Sequence, residues 1–293
     1  MFAQFFGGYL FNHKLCSAED LTQAFEAKKH TRLRLGVLAI NAGLMTAEQV
    51  EHVNITQQSV DKRFGDLAVE LGYVTADDVE KLLAQQPTDY LLLGQTLVNN
   101  GALTNAEFEK AINDYKAENQ ITDEVSDNQS ETLHNLIKEF YHFDNAENAR
   151  ICTDYVTLLF KNLIRFIGDD FTPMEASIVG SYKAENLVMQ KVQGSYNACA
   201  CIAADSAAYL GFAERFAKES FNEVDDFVNA TVGEFLNVND GLFIVNESNE
   251  HGVELTLTPQ ELFPEQDISF ENTAFCIPVN FPFGKVNFII AAK

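Results

Sequence analysis

Positive charge is in short supply in this sequence. Its 293 residues hold 20 Lys and Arg against 43 Asp and Glu, a formal net charge of −23. Most of that excess falls after residue 118. Such a surface repels polyanions, which argues against nucleic acid and anionic membranes as partners. Long apolar runs are missing too, so no membrane span is expected. The opening segment, residues 1–8, has no basic stretch followed by a long apolar one, so no signal peptide is expected. Cysteine is scarce, odd in number and scattered, at Cys16, Cys152, Cys199, Cys201 and Cys276. That usage suits reduced thiols and a cytoplasmic location rather than a disulfide framework. Cys199-x-Cys201 lacks the second pair a zinc site needs, and in an alternating strand its thiols simply share a face. The six histidines are dispersed and no His-Glu-x-x-His spacing occurs, so no metal site is expected.

What remains is ample for folding. Hydrophobic residues make up 46% and charged residues 22%, a globular balance, and the length allows two or three domains. The first third is a repeat. Gly7, Gly36, Gly65 and Gly94 recur every 29 residues, each preceded by Phe or Leu. Ser17, Thr46, Thr75 and Thr104 follow at a fixed offset, and Asp20, Gln49, Asp78 and Glu107 come three residues later. Ser or Thr followed by an acid or amide at that spacing is a capping box, which marks a helix start. Gly43, Gly72 and Gly101 stand where helices end. Each unit therefore reads as a short helix, a glycine turn and a longer capped helix. One such unit cannot bury its apolar face alone, but four stacked units can. An all-α repeat domain is expected over residues 1–117.

These units resemble the N-terminal cyclic-di-GMP-binding domain of MshE-type ATPases. That family's motif opens Arg-Leu-Gly, passes a Gly and closes with Gln. Arg34-Leu35-Gly36 with Gly43 and Gln57 fits, as does Arg63-Phe64-Gly65 with Gly72 and Gln86. The resemblance implies that Arg34, Leu35, Gly36, Gln57, Arg63, Phe64, Gly65 and Gln86 contact the nucleotide. A guanidinium stacks on guanine and grips phosphate, and glycine lets the ligand close in. The family's ATPase portion has no counterpart, since no Gly-x-x-x-x-Gly-Lys-Ser/Thr loop occurs. A helical scaffold that binds nothing stays open as the other reading.

Residues 118–145 read as a polar, acidic linker followed by a helix over Leu133–Phe143. From 146 to 293 the order is helix, strands, two helices, strands. Segregated elements of this kind indicate α+β with a largely antiparallel sheet. Strands are expected around 175–181, 186–192, 196–203, 242–245, 253–257, 275–281 and 286–291. The helix between them contains Asn222 to Gly233. There Phe221, Val224, Val228, Val232 and Phe235 form one face, with Asn222, Asp226, Asn229 and Gly233 opposite.

Asp226-x-x-Asn229-x-x-x-Gly233 resembles the Glu-x-x-Asn-x-x-x-Gly signature of the CheX/CheC chemotaxis phosphatases, with Asp in place of Glu. The single signature favours the CheX-like branch. The resemblance implies a phosphatase acting on the aspartyl-phosphate of a CheY-type receiver domain. Asn229 would orient the attacking water and Asp226 would pair with the receiver's Lys. Asn222 and Gly233 would face the partner. Phosphoryl transfer needs an oriented water more than a strong base. No cofactor is implied on this chain, since the Mg²⁺ belongs to the receiver. A non-enzymatic adaptor is the alternative, and a homodimer stays open.

Overall fold

The computed structural model describes residues 2–84, 88–119, 129–143 and 148–293. Gln86 and most of the expected linker lie outside the described residues. The chain forms two compact units, Met1–Val125 and Ser126–Lys293.

The first unit is helical. It holds α1 (Phe2–Asn12), α2 (Ala18–Ala27), α3 (Leu35–Asn41), α4 (Ala47–Gln57), α5 (Phe64–Glu70), α6 (Ala76–Ala84), α7 (Asp89–Asn99) and α8 (Asn105–Glu118). Reciprocal capping boxes open α2, α4 and α8, at Ser17 with Asp20, Thr46 with Gln49 and Thr104 with Glu107. Thr75 and Asp78 make the same pair of bonds at α6. Gly43, Gly72 and Gly101 take φ of 65°, 73° and 77°, the left-handed values a helix-ending turn requires. The other glycine series serves packing. A Cβ on Gly36 would stand 2.7 Å from Val50, one on Gly65 3.0 Å from Val79, and one on Gly94 would strike the Phe108 ring. In these three places a short helix lies against the first turn of the longer helix that follows it, and glycine permits the approach.

The second unit packs helices on an antiparallel sheet. Its helices are α9 (Gln129–Tyr141), α10 (Ala149–Phe166), α11 (Ser206–Ala217) and α12 (Asp226–His251). Its strands are β1 (Thr172–Pro173), β2 (Ser177–Lys183), β3 (Asn186–Gly194), β4 (Ala198–Ala204), β5 (Leu255–Leu257), β6 (Glu261–Leu262), β7 (Asp267–Phe281) and β8 (Gly284–Ala292). The strand order is β1-β7-β8-β4-β3-β5, with β2 on β7 and β6 on β3. Val188, Ile202 and Phe288 line up in register on the helix side. Leu187, Met189, Cys201, Cys276 and Ile289 form a second apolar layer on the opposite face. Cys199 packs beside that layer, and all five cysteines are free thiols.

The expected element bounds fail at α12, at both of its ends. The run Leu242–Val245, expected as a strand, is helical. A short apolar run carries no period of its own. Here Phe235, Leu236, Asn239, Asp240, Phe243 and Glu247 continue one buried stripe and carry the helix through it. The helix also begins later than expected. Asp225 is its N-cap, and its carboxylate accepts from the Val228 N–H at 2.8 Å. Asn222 therefore lies in the preceding loop and not on the helix face.

Candidate functional site

α12 runs 26 residues along the sheet, against β3, β4 and β5. Its buried stripe includes Val228, Val232, Leu236, Asp240, Phe243 and Glu247. At about 100° per residue, Asn229 falls in the sector of Leu236, Asp240 and Glu247. That is the inward side. Asn229 stays half-open because the sheet ends beneath it, where a cleft of about 340 Å³ is walled by Asn186, Leu187, Val224, Leu262 and Pro264. Asp226, on the first turn, is exposed. Gly233 is not the bare backbone expected. It is buried, Gln260 Nε2 donates to its carbonyl at 3.2 Å, and Val188 and Gln260 cover the place of its missing side chain. So the structure does not gather Asn222, Asp226, Asn229 and Gly233 on one open face.

The outward side holds an unbroken copy of the same signature, eight residues further on. It is Glu234-x-x-Asn237-x-x-x-Gly241. On the same wheel these three fall within about 60° of arc, away from the buried stripe. Glu234 is exposed, Asn237 is half-buried, and nothing lies within 4 Å of where a Gly241 side chain would stand. Asn237 Nδ2 donates to Glu234 Oε2 at 3.4 Å. Leu242 and Val245 are exposed on the same outer surface, at 37% and 53%. An acid, an amide, open backbone and apolar neighbours thus share one face. The signal that finds them is the signature with its Glu kept.

Beneath this face the helix carries polar groups into the core. Gln190 of β3 donates through Nε2 to Asn237 Oδ1 at 3.1 Å and to the Thr258 carbonyl at 2.9 Å. Tyr155 donates to Asp240 Oδ1 at 2.7 Å, and Asn162 to Asn239 Oδ1 at 2.9 Å. Burial pushes the Asp240 carboxyl up to about 7, against the lowering pull of the Tyr155 hydroxyl.

The histidines are less dispersed than their spacing suggests. Asp154, Glu247 and His251 have ligand atoms within 4.8 Å of one another, and His134 Nε2 lies 3.0 Å from Asp154. Arg150 bridges two members of this cluster. It reaches Asp154 at 2.8 Å and both oxygens of Glu247 at 2.9 and 3.0 Å. A guanidinium there supplies the positive charge that a cation would otherwise bring, so the group is an ion-pair network. Burial works against the Glu247 charge, but the bonds from Arg150 and Tyr196 outweigh it and hold that carboxyl low.

In the first unit, a cleft of about 310 Å³ gathers Arg34, Leu35, Gly36, Gln57 and Phe64, with Asn54 and Gln95 also lining it. These come from both motif copies. Arg63 and Gly65 do not line it, and Gly65 is buried against Val79 and Leu35. Arg34 is the N-cap of α3, and its N–H donates to Gln95 at 3.2 Å. Gln57 donates to the Lys62 carbonyl at 2.8 Å.

No protein-family model matches the chain, and no curated protein does. Solved structures do. The chemotaxis protein CheX from Desulfovibrio desulfuricans is 15% identical, with a TM-score of 0.43, covering 49% of this chain and 99% of that one. A CheC-like superfamily protein from Shewanella sp. PV-4 is 14% identical, with a TM-score of 0.44, covering 50% and 99%. The CheX–CheY–BeF3–Mg²⁺ complex from Borrelia burgdorferi matches at 18% identity and a TM-score of 0.42, covering 49% and 97%. The likeness to these CheX- and CheC-like chemotaxis proteins thus spans about half the chain. No helix among the described residues is long and apolar enough to cross a membrane.

Proposed function

We propose that the second unit hydrolyses the aspartyl-phosphate of a CheY-type receiver domain, and that Glu234 and Asn237 carry the reaction in place of Asp226 and Asn229. The observation that supports this is the open face of α12 bearing Glu234, Asn237 and Gly241. Asn237 orients a water for in-line attack on phosphorus. The bond between phosphorus and the aspartyl oxygen breaks, and the products are inorganic phosphate and the free carboxylate. Glu234 pairs with the receiver's Lys, with the full reach that Asp226 lacks. Gly241, Leu242 and Val245 leave flat, partly apolar surface for the receiver to sit on. The Mg²⁺ belongs to the receiver. The adaptor reading predicts binding to receivers without turnover. Phosphate release from phosphorylated receiver domains of the same genome separates the two: stimulated release supports the phosphatase, and tight binding with no release supports the adaptor.

We also propose that the first unit binds cyclic-di-GMP in the cleft at Arg34. The convergence of Arg34, Leu35, Gly36, Gln57 and Phe64 on one hollow favours it. Calorimetric titration of the full chain should show micromolar or tighter binding, equivalent to about −8 kcal/mol or better, lost in the Arg34→Ala, Arg63→Ala double variant. No heat well above micromolar ligand would leave the repeats as scaffold.

A further inference from the structure

The Asn237 amide is tied from below. Gln190 is 2% exposed and lies on β3, the strand under α12. The oxygen and nitrogen of an amide are told apart by their partners. The Thr258 carbonyl can only accept, so it fixes the Gln190 nitrogen toward itself. That same nitrogen reaches Asn237, so the group it meets there must be the Asn237 oxygen. Asn237 Nδ2 is thereby turned outward, toward Glu234. Two consecutive hydrogen bonds therefore set the flip and the rotamer of the Asn237 side chain. Apart from the Thr258 carbonyl it satisfies, packing gives no reason for Gln at this place. Its Oε1 is buried with no partner among the described residues, a cost that Met or Leu of similar volume would avoid.

We infer that Gln190 is a positioning residue, which holds the Asn237 amide in one orientation toward the docked phosphoryl group. This rests on the reading of Asn237 given above. Without the Gln190 donor the amide can turn over, and less of the docked complex is in reacting geometry.

Gln190→Met keeps the volume and removes the donor. The expected result is a kcat for receiver dephosphorylation lower by roughly 10–100-fold, with KM within about twofold. In an Asn237→Ala background the same change should lower kcat no further, as two residues acting through one group are non-additive. Side-chain ¹⁵N relaxation gives a readout apart from activity. The Asn237 amide should be rigid in the wild type and mobile in Gln190→Met. An unchanged kcat, a rigid amide in the variant, or a further loss on top of Asn237→Ala would each overturn the inference. So would a wild-type Asn237 amide as mobile as that of an exposed asparagine, which needs no variant to fold. A wild type that dephosphorylates no receiver would instead sink the phosphatase reading, and relaxation would still decide the positioning.

Discussion

Arg150 grips both carboxylate oxygens of Glu247, at 2.9 and 3.0 Å, and so ties α10 to α12. Tyr196, after β3, donates to the same carboxylate at 2.8 Å. Glu247 is 3% exposed while Arg150 is 46% exposed, so the pair sits with its anion inside and its cation at the rim. Arg150→Met should therefore cost about 1–3 kcal/mol, the penalty of a buried acceptor left short of donors. Urea unfolding measures it. Adding Glu247→Met should restore part of the loss, because no buried charge then remains. A loss below about 0.5 kcal/mol in the single variant would mean that water reaches Glu247 freely.

Asp240 predicts a pH dependence of opposite sign to that of Glu247. Its carboxyl is raised to about 7 by burial, while an unfolded Asp titrates near 3.9. The folded state therefore holds its proton to higher pH. The stability this contributes is complete below about pH 4 and is lost as pH rises toward and through 7. The full loss is on the order of 4 kcal/mol, as an upper bound. Glu247 is depressed, so its contribution is present above about pH 4.3 and is lost only as pH falls through its folded value. Asp240→Asn should thus flatten the fall in urea midpoint between pH 5 and 8. Parallel curves for both proteins would show that Asp240 is ionised throughout.

The helices of the first unit were legible because capping residues and glycines mark their ends, as at Thr46 with Gln49 and Thr104 with Glu107. The strands β3, β4 and β8 were legible as short runs set off by turns at Gly194 and Gly284. α12 was misread at its two ends for different reasons: Asp225 caps it only after Asn222, and further on the apolar period breaks down. Its core stripe contains Asn239, Asp240 and Glu247, so the apolar period fades after Phe235 and Leu242–Val245 looks like a separate run. Polar residues satisfied by distant partners, here Tyr155, Asn162 and Arg150, cannot be told from surface residues before folding. The apolar stripe could be followed only around Asp226 and Asn229, which is why they were the candidate pair in the sequence.

Asn237→Ala and Asn229→Ala discriminate between the two copies of the signature. The expected outcome is a loss of stimulated dephosphorylation of ~10²–10⁴-fold in Asn237→Ala, the range of positioned catalytic groups. Asn229→Ala should leave the rate within a few-fold. Glu234→Ala should instead weaken the complex with the receiver, measured by calorimetry on a stable phosphoryl mimic. The reverse pattern, with Asn229 essential and Asn237 dispensable, would return the reaction to the first turn of α12.

Two glycines in helices should respond oppositely to the same substitution. Gly94 lies against Phe108, and a methyl there would overlap the ring. Phe108 is fully buried, with its ring edge-on to Phe6 at 6.4 Å, so it has little room to move. Gly94→Ala should cost about 1–3 kcal/mol, as overpacking does in a filled core. Gly241 faces open space within its helix, and Ala is the better helix former by about 1 kcal/mol. Gly241→Ala should therefore raise stability by up to that amount in the free protein. If the receiver seats on the bare backbone, the same methyl should also weaken binding. Thermal unfolding and calorimetry on the two variants test both halves. A Gly241→Ala protein that is more stable and binds the receiver with wild-type affinity would move the docking surface away from that turn of α12.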